Sequence, residues 1–391
     1  MKSLRHAVAV VLPLLLAIGA AAAVTVLATA RRVVTPSSRR NDTRIIAVDT
    51  GAQTIELDRT LDTELPGRYG LFTTGTYDYV KLGAVLGASA HTVRRKLLTQ
   101  IAPGSRIDRD AAFSGWYYVS PQELHLPWED VLIGTPAGPC PAWFFPASVS
   151  GAAPADIWVI QVHGRGTTRA ECLRAVPVFH RLGLPTLVVS YRNDGEAPPS
   201  RGGSYALGAS EWHDVDAAIG HALRHGAQRV ILMGWSMGGA IVLQAAVSSA
   251  HRGRIASLIL DSPVVDWRTV LRFQAREGGL REPLPALAMG ALENSFTARL
   301  SGAEHAIAFD RLDMVSRASE LETPILLLHS DDDGFVPSDA SHALAAARPD
   351  LVTMPTFTGA RHTKLWNYDQ SSWTSAIVDW LTARALVSES H

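Results

Sequence analysis

The stretch Arg229-Val230-Ile231-Leu232-Met233-Gly234-Trp235-Ser236-Met237-Gly238-Gly239 decides how the chain is read. Its apolar run Arg229–Met233 has the length and composition of a strand buried on both faces. The run ends in Gly-x-Ser-x-Gly-Gly, and an amphipathic stretch of helical length, Met237–Ala250, follows. In a strand–turn–helix of this tightness the residues flanking the serine must be small, which explains glycine at 234 and 238. The serine is then projected from a strained corner at the start of a helix.

Working outward, similar apolar runs recur at Asp130–Gly134, Ala142–Pro146, Ile157–Val162, Thr186–Tyr191, Ser257–Asp261, Pro324–His329 and Leu351–Met354. Thr135-Pro136-Ala137-Gly138-Pro139 joins the first two as an antiparallel hairpin. Helical stretches at Thr168–Leu182, Glu211–His225 and Ser338–Ala347 alternate with the rest. This order predicts an α/β fold: a mostly parallel eight-stranded sheet with helices on both faces. Val264–Glu320 is too long for a plain crossover and predicts a helical cap insertion, about residues 264–320, over the sheet's active edge.

The 391 residues are 47% hydrophobic and 19% charged, which excludes a disordered chain. The first 40 residues hold six basic residues and no acid. The remaining 30 basic and 37 acidic residues give the body a net charge of −7. Such a body is unsuited to gripping phosphates, and no nucleic-acid partner is expected. Two cysteines, Cys140 and Cys172, exclude a disulfide-built scaffold and a Cys-rich zinc site, and leave one pairing open. No P-loop, dinucleotide fingerprint or metal-ligand spacing occurs, so no cofactor is expected.

Ala7–Ala30 is 24 residues without a charge. As a helix it would be roughly 36 Å long, enough to cross a bilayer with tilt. Lys2, Arg5 and the small-residue pattern Ala28-Thr29-Ala30 also suit a cleaved signal peptide. The length exceeds a usual signal core, so residues 1–30 are read as a single-pass membrane anchor; the body would be secreted if the segment were cleaved. Basic residues flank it on both sides, which leaves the side of the membrane open. Residues 31–44 read as a linker. Residues 45–125 form a small accessory region with short strands at Ile45–Val48 and Thr54–Leu57 and a short helix at His91–Ile101. Residues 126–391 are the α/β domain.

A serine hydroxyl becomes a nucleophile when a base removes its proton and a carboxylate orients that base. For a strand–turn–helix serine, the expected chain order is Ser, acid, His. Downstream stand Asp331, Asp332 and Asp333, and then His362. The developing oxyanion needs two amides, one of them from Met237, the residue after the serine.

With these elements in place, the chain resembles the α/β-hydrolase superfamily over about residues 130–386. His329-Ser330-Asp331-Asp332-Asp333-Gly334-Phe335-Val336-Pro337 is similar to that family's His-Gly-x-x-Asp-x-x-Val-Pro, with Ser330 in place of glycine. The resemblance implies Asp333 as the acid, with Asp261 the alternative that some members use. Thr358-Gly359-Ala360-Arg361-His362 resembles the family's histidine loop, which implies His362 as the base, with His329 and His305 as competitors. His163-Gly164-Arg165-Gly166 resembles its oxyanion loop, which implies the Arg165 amide as second donor, Gly164 the alternative, and a structural His163. The implied activity is hydrolysis of a carboxylic ester on a small-molecule or lipid-like acyl substrate. A serine peptidase or amidase, or a non-catalytic membrane-tethered binding module, are the alternatives. The acids scattered through the insertion, Glu277, Glu282, Glu293 and Glu304, show no pairing suited to a substrate amine.

Overall fold

The computed structural model describes residues 2–36, 39–147 and 156–387, and side chains from residue 16 onward. The first element is a helix, α1 (Lys2–Val34). Its segment Leu16–Val34 has mean hydropathy 1.5, long and apolar enough to cross a membrane. The helix runs past residue 30, so Arg31 and Arg32 belong to its last turn and not to a linker.

Six short strands follow: β1 (Thr43–Asp49), β2 (Thr54–Asp58), β3 (Tyr69–Phe72), β4 (Tyr79–Ala88), β5 (Thr92–Leu97) and β6 (Asp110–Ser114). They close into a barrel of order β1-β2-β5-β4-β3-β6. Inward residues such as Ile55, Leu57, Leu71, Val80 and Leu82 fill its core. His91–Ile101 is not a helix: Thr92–Leu97 is a strand whose Val93, Arg95 and Leu97 alternate inward.

The second unit is a nine-stranded sheet: β7 (Glu129–Thr135), β8 (Gly138–Phe145), β9 (Ile157–Val162), β10 (Thr186–Val189), β11 (Arg229–Trp235), β12 (Ile255–Asp261), β13 (Ile325–Ser330), β14 (Val352–Thr353) and β15 (Thr356–Phe357). Its order is β14-β13-β12-β11-β9-β10-β8-β7, and β15 also pairs with β13. Strands from β10 to β14 and β15 are parallel, and the β7–β8 hairpin pairs antiparallel with β10. Eight strands were expected. The ninth arises because Pro355, without an N–H, splits the last run into two short pairings with β13.

The helices are α2 (Val176–Arg181), α3 (Trp212–Arg224), α4 (Met237–Ser248), α5 (Trp267–Glu277), α6 (Leu284–Glu293), α7 (Ser295–Leu300), α8 (Asp339–Ala347), α9 (Leu365–Tyr368) and α10 (Gln370–Ala383). Thr168–Leu182 is only partly α-helical, because Arg169–Ala175 is a 3-10 turn leading into α2. Alternation along β11 puts Val230 and Leu232 in one apolar core, under α3 and α4. Ile231, Met233 and Trp235 enter the other, under α2 and α10. Helices α5 to α7 form the excursion between β12 and β13. Ala30 and Val34 of α1 are fully buried in that first core.

Candidate active site

Trp235 ends β11 and Met237 begins α4, so the whole turn is made by Ser236, at φ 51° and ψ −117°. A non-glycine residue at positive φ is strained, and the neighbours must yield space. A β-carbon on Gly234 would lie 2.4 Å from the Gly238 carbonyl oxygen, and one on Gly238 would lie 2.2 Å from that of Val162. The Ser236 carbonyl accepts from Gly239 at 3.0 Å and from Val264 at 3.0 Å, which ties the turn to the start of the helical excursion.

His362 comes from the loop after β15. Its Nε2 lies 2.9 Å from Ser236 Oγ, and its Nδ1 lies 2.7 Å from Asp333 Oδ2. Asp333 sits in the loop after β13, where its Oδ1 accepts from the Phe335 and Val336 amides at 2.9 Å each. Burial pushes the Asp333 carboxyl up, but His362 and His329 outweigh it and hold the group well below the usual carboxylate range. The structure therefore brings Ser236, His362 and Asp333 into one hydrogen-bonded line.

The other candidates do not reach Ser236 Oγ. Asp261 is fully buried, accepting from Trp373 Nε1 at 2.8 Å and from Ser262 Oγ at 3.1 Å, and burial raises its pKa. His329 is buried between Ser341 Oγ at 2.8 Å and the Val336 carbonyl at 3.1 Å, and its Nε2 lies 3.3 Å from Asp333 Oδ2, on the far side of the acid from Ser236 Oγ. His305 is exposed, 3.7 Å from Glu304. His163 stacks on Tyr191 and contacts Asp194 Oδ2 at 3.1 Å.

Gly164 approaches the nucleophile so closely that a β-carbon would lie 3.2 Å from Ser236 Cβ. Its amide, however, donates to Glu171 Oε2 at 3.0 Å. This removes Gly164 as an oxyanion donor, because a hydrogen pointed at a carboxylate is not pointed at the substrate. Among the described residues, the Met237 and Arg165 amides have no hydrogen-bond acceptor. The half-buried Arg165 guanidinium donates to the Arg32 carbonyl at 2.8 Å and the Thr35 carbonyl at 3.2 Å.

Several residues of this site carry no sequence signal. Glu171 also accepts from Thr167 Oγ1 at 2.8 Å, and Tyr191 donates to the Gly164 carbonyl at 3.0 Å, so both shape the loop beside Ser236. A cleft of about 320 Å³ opens at His362. Asp42, Asp62 and Phe113–Gly115 of the barrel side wall it, opposite Thr167, Glu171, Phe335 and Arg361–Lys364. The helical excursion meets the edge of the site through Gln274 Nε2, which donates to the Phe335 carbonyl at 3.2 Å. The cleft lining itself includes none of its residues.

Cys140 and Cys172 are separate free thiols, both buried. Burial pushes Cys140 up to about 11 and Cys172 well above its ordinary value. No group of three His, Cys, Asp or Glu side chains suited to a metal occurs among the described residues.

Comparison with known proteins adds two family matches. Residues 157–281 match a family described as alpha/beta hydrolase fold. Residues 44–114, the barrel, match a domain of unknown function (DUF8805). No curated protein matches the chain. Among solved structures, an esterase of Pyrococcus furiosus is 17% identical with a TM-score of 0.52, covering 68% of this chain and 94% of its own. Est1E from Butyrivibrio proteoclasticus is 17% identical with a TM-score of 0.50, over 66% of this chain and 98% of its own. A puromycin-hydrolyzing peptidase of Mycobacterium tuberculosis is 19% identical with a TM-score of 0.50, over 85% of this chain and 45% of its own. At these identities the likeness is one of fold.

Proposed function

We propose that this α/β-hydrolase superfamily protein is a membrane-anchored serine hydrolase that cleaves a carboxylic ester through an acyl-enzyme. The observation that carries the reading is the line from Ser236 Oγ to His362 Nε2 at 2.9 Å and from His362 Nδ1 to Asp333 at 2.7 Å. In the reaction, His362 takes the hydroxyl proton as Ser236 attacks the ester carbonyl carbon. The carbonyl oxygen becomes an oxyanion and receives the Met237 and Arg165 amides. His362 then protonates the departing alkoxide, leaving the acyl group on Ser236. Water attacks the acyl carbon with His362 again as base, and the acid is released. Asp333 keeps the Nδ1 proton in place and stabilises the imidazolium formed in each half.

An ester is favoured over a peptide because an amine anchor is missing from the helical excursion. Glu277 and Glu282 are exposed, Glu293 is paired with Arg268, and Glu304 turns to the Gly202 amide. None of the four lines the cleft. The peptidase reading draws on Asp42, Asp62 and Glu171, which do line it. The apolar helix favours a lipid-like acyl substrate and attachment to a membrane.

The deciding experiment is fluorophosphonate labelling of the full-length protein, with the modified residue located by mass spectrometry. Labelling should fall on Ser236, vanish in Ser236→Ala and weaken strongly in His362→Ala. A panel of p-nitrophenyl esters against aminoacyl p-nitroanilides should then give faster turnover on the esters. A folded protein that takes no label would overturn the catalytic reading, and faster anilide turnover would transfer it to the peptidase.

A further inference from the structure

The last carbonyls of an α-helix lack partners within the helix. At the end of α1 they are taken up by the sheet unit. Arg165 Nη2 donates to the Arg32 carbonyl at 2.8 Å and the Thr35 carbonyl at 3.2 Å, and the Tyr205 amide donates to the Val34 carbonyl at 2.8 Å. The Arg31 carbonyl is closed by Thr35, through its amide at 2.9 Å and its hydroxyl at 2.7 Å. A guanidinium at this place also complements the negative end of the helix dipole. Beneath the same turns Ala30 and Val34 are fully buried, with Val26, Leu27 and Val33 packed against the core.

The two residues that grip the helix also hold the loop beside the nucleophile. Arg165 belongs to that loop. The Tyr205 hydroxyl accepts from the Gly166 amide at 3.4 Å, so one residue joins the Val34 contact, made by its backbone amide, to the loop. On its other flank the loop is fixed by Glu171 and Tyr191. The helix end is therefore one of two clamps on the backbone between His163 and Thr167. Cleavage after Ala30 would withdraw a core residue and leave the gripped carbonyls on a fragment too short to stay helical unaided.

We propose that the carboxyl end of α1 seats the oxyanion loop. Arg165 acts as a positioning residue through the Arg32 and Thr35 carbonyls, and the helix stays attached in the working enzyme. The kinetic part rests on the serine-hydrolase reading. The structural part does not.

The test uses the full chain in detergent micelles. Arg165→Met, Arg165→Lys and Tyr205→Phe are compared with the unaltered protein for kcat and KM on a soluble ester. Hydrogen exchange of the 163–167 amides and the mass of the intact chain from its native membrane are measured alongside. Arg165→Met should lower kcat about 10- to 100-fold, the scale of a misplaced oxyanion donor. KM should stay within about 2-fold, since the ground state does not use that donor. Exchange at 163–167 should accelerate, and Arg165→Lys should restore part of both. The native chain should retain residues 1–35. Arg165→Met with unchanged kcat and exchange would overturn the proposal, as would a native chain beginning after residue 30 with full activity. If the unaltered protein hydrolyses nothing, the hydrolase reading fails and exchange alone decides: acceleration supports the seat, no change refutes it. If Arg165→Met does not fold, Arg165→Lys and Tyr205→Phe carry the same comparison.

Discussion

Asp333 shows how one carboxylate can be committed to two tasks. Its Oδ1 is held by two backbone amides, while Oδ2 faces the His362 ring at 2.7 Å and His329 Nε2 at 3.3 Å. Asp333→Asn preserves the first task and spoils the second, because an amide can present an N–H toward Nδ1 and select the wrong tautomer. We expect kcat to fall about 10³- to 10⁴-fold with the fold intact, measured on the preferred ester. The same carboxyl has a stability signature. Its pKa is depressed in the folded protein, so its contribution is present above the unfolded value of about 3.9 and is lost as pH falls. The melting difference between the unaltered protein and Asp333→Asn should therefore shrink as pH falls from about 5 toward 3. The candidates Ser236, Asp333 and His362 were legible because each lies in a short motif at a strand end, in a fixed chain order. Glu171 was not. Its partners Gly164 and Thr167 are near in sequence, yet nothing in their identities says that a carboxylate will claim the Gly164 amide.

At the scale of elements, the barrel strand β5 is the instructive case. Val93, Leu97, Leu98 and Ile101 fall at helical spacing in the sequence, while the true inward set is Val93, Arg95 and Leu97. A charge at an inward position hides the period of two. Arg95 is fully buried and satisfies its guanidinium on backbone oxygens: Gly83 at 2.8 and 3.1 Å, Thr63 at 2.9 Å, Leu65 at 2.7 Å and Gly67 at 2.9 Å. Tyr69 and Phe113 flank it at 5.1 and 5.6 Å. Burial lowers its pKa to about 10, which still leaves it charged at neutral pH. The carbonyls it gathers belong largely to the 63–67 turn, next to Asp62, which lies 3.5 Å from Lys364 at the cleft. Arg95→Met should destabilise the protein by about 2–5 kcal/mol, since several buried carbonyls lose their donor at once. Urea or thermal unfolding would measure it. Because Asp62 meets the cleft through Arg361 and Lys364 and makes no contact with Ser236 or His362 themselves, the kinetic effect should fall on KM more than on kcat.

Across the whole molecule, the decisive contacts are those no local window contains. Arg174, 1% exposed, donates from Nη1 to the Gly115 carbonyl at 2.9 Å, the Thr363 carbonyl at 2.7 Å and Asn367 Oδ1 at 2.9 Å. These partners stand 59, 189 and 193 residues away in the chain. They belong to the barrel exit, the loop of His362 and α9. The same guanidinium lies 3.7 Å from Glu171, which holds the Gly164 amide. The alternating strands and helices were readable because each depends on neighbours in sequence. The closure of 43–114 into a barrel, and its position as a wall of the cleft, depend on pairings of this distant kind. Arg174 is thus where barrel, histidine loop and oxyanion loop meet, and its replacement should differ from that of Arg95. Arg174→Met should lower both stability and kcat, the latter about 10-fold or more, because His362 and Gly164 lose support together. Arg174→Lys should recover only part of this, since a lysine ammonium ends about one bond short of the Nη1 position from which all three acceptors are met. Steady-state kinetics beside thermal unfolding would separate the two arginines. A loss of stability with unchanged kcat in Arg174→Met would mean that the barrel and the catalytic loops are joined there only mechanically.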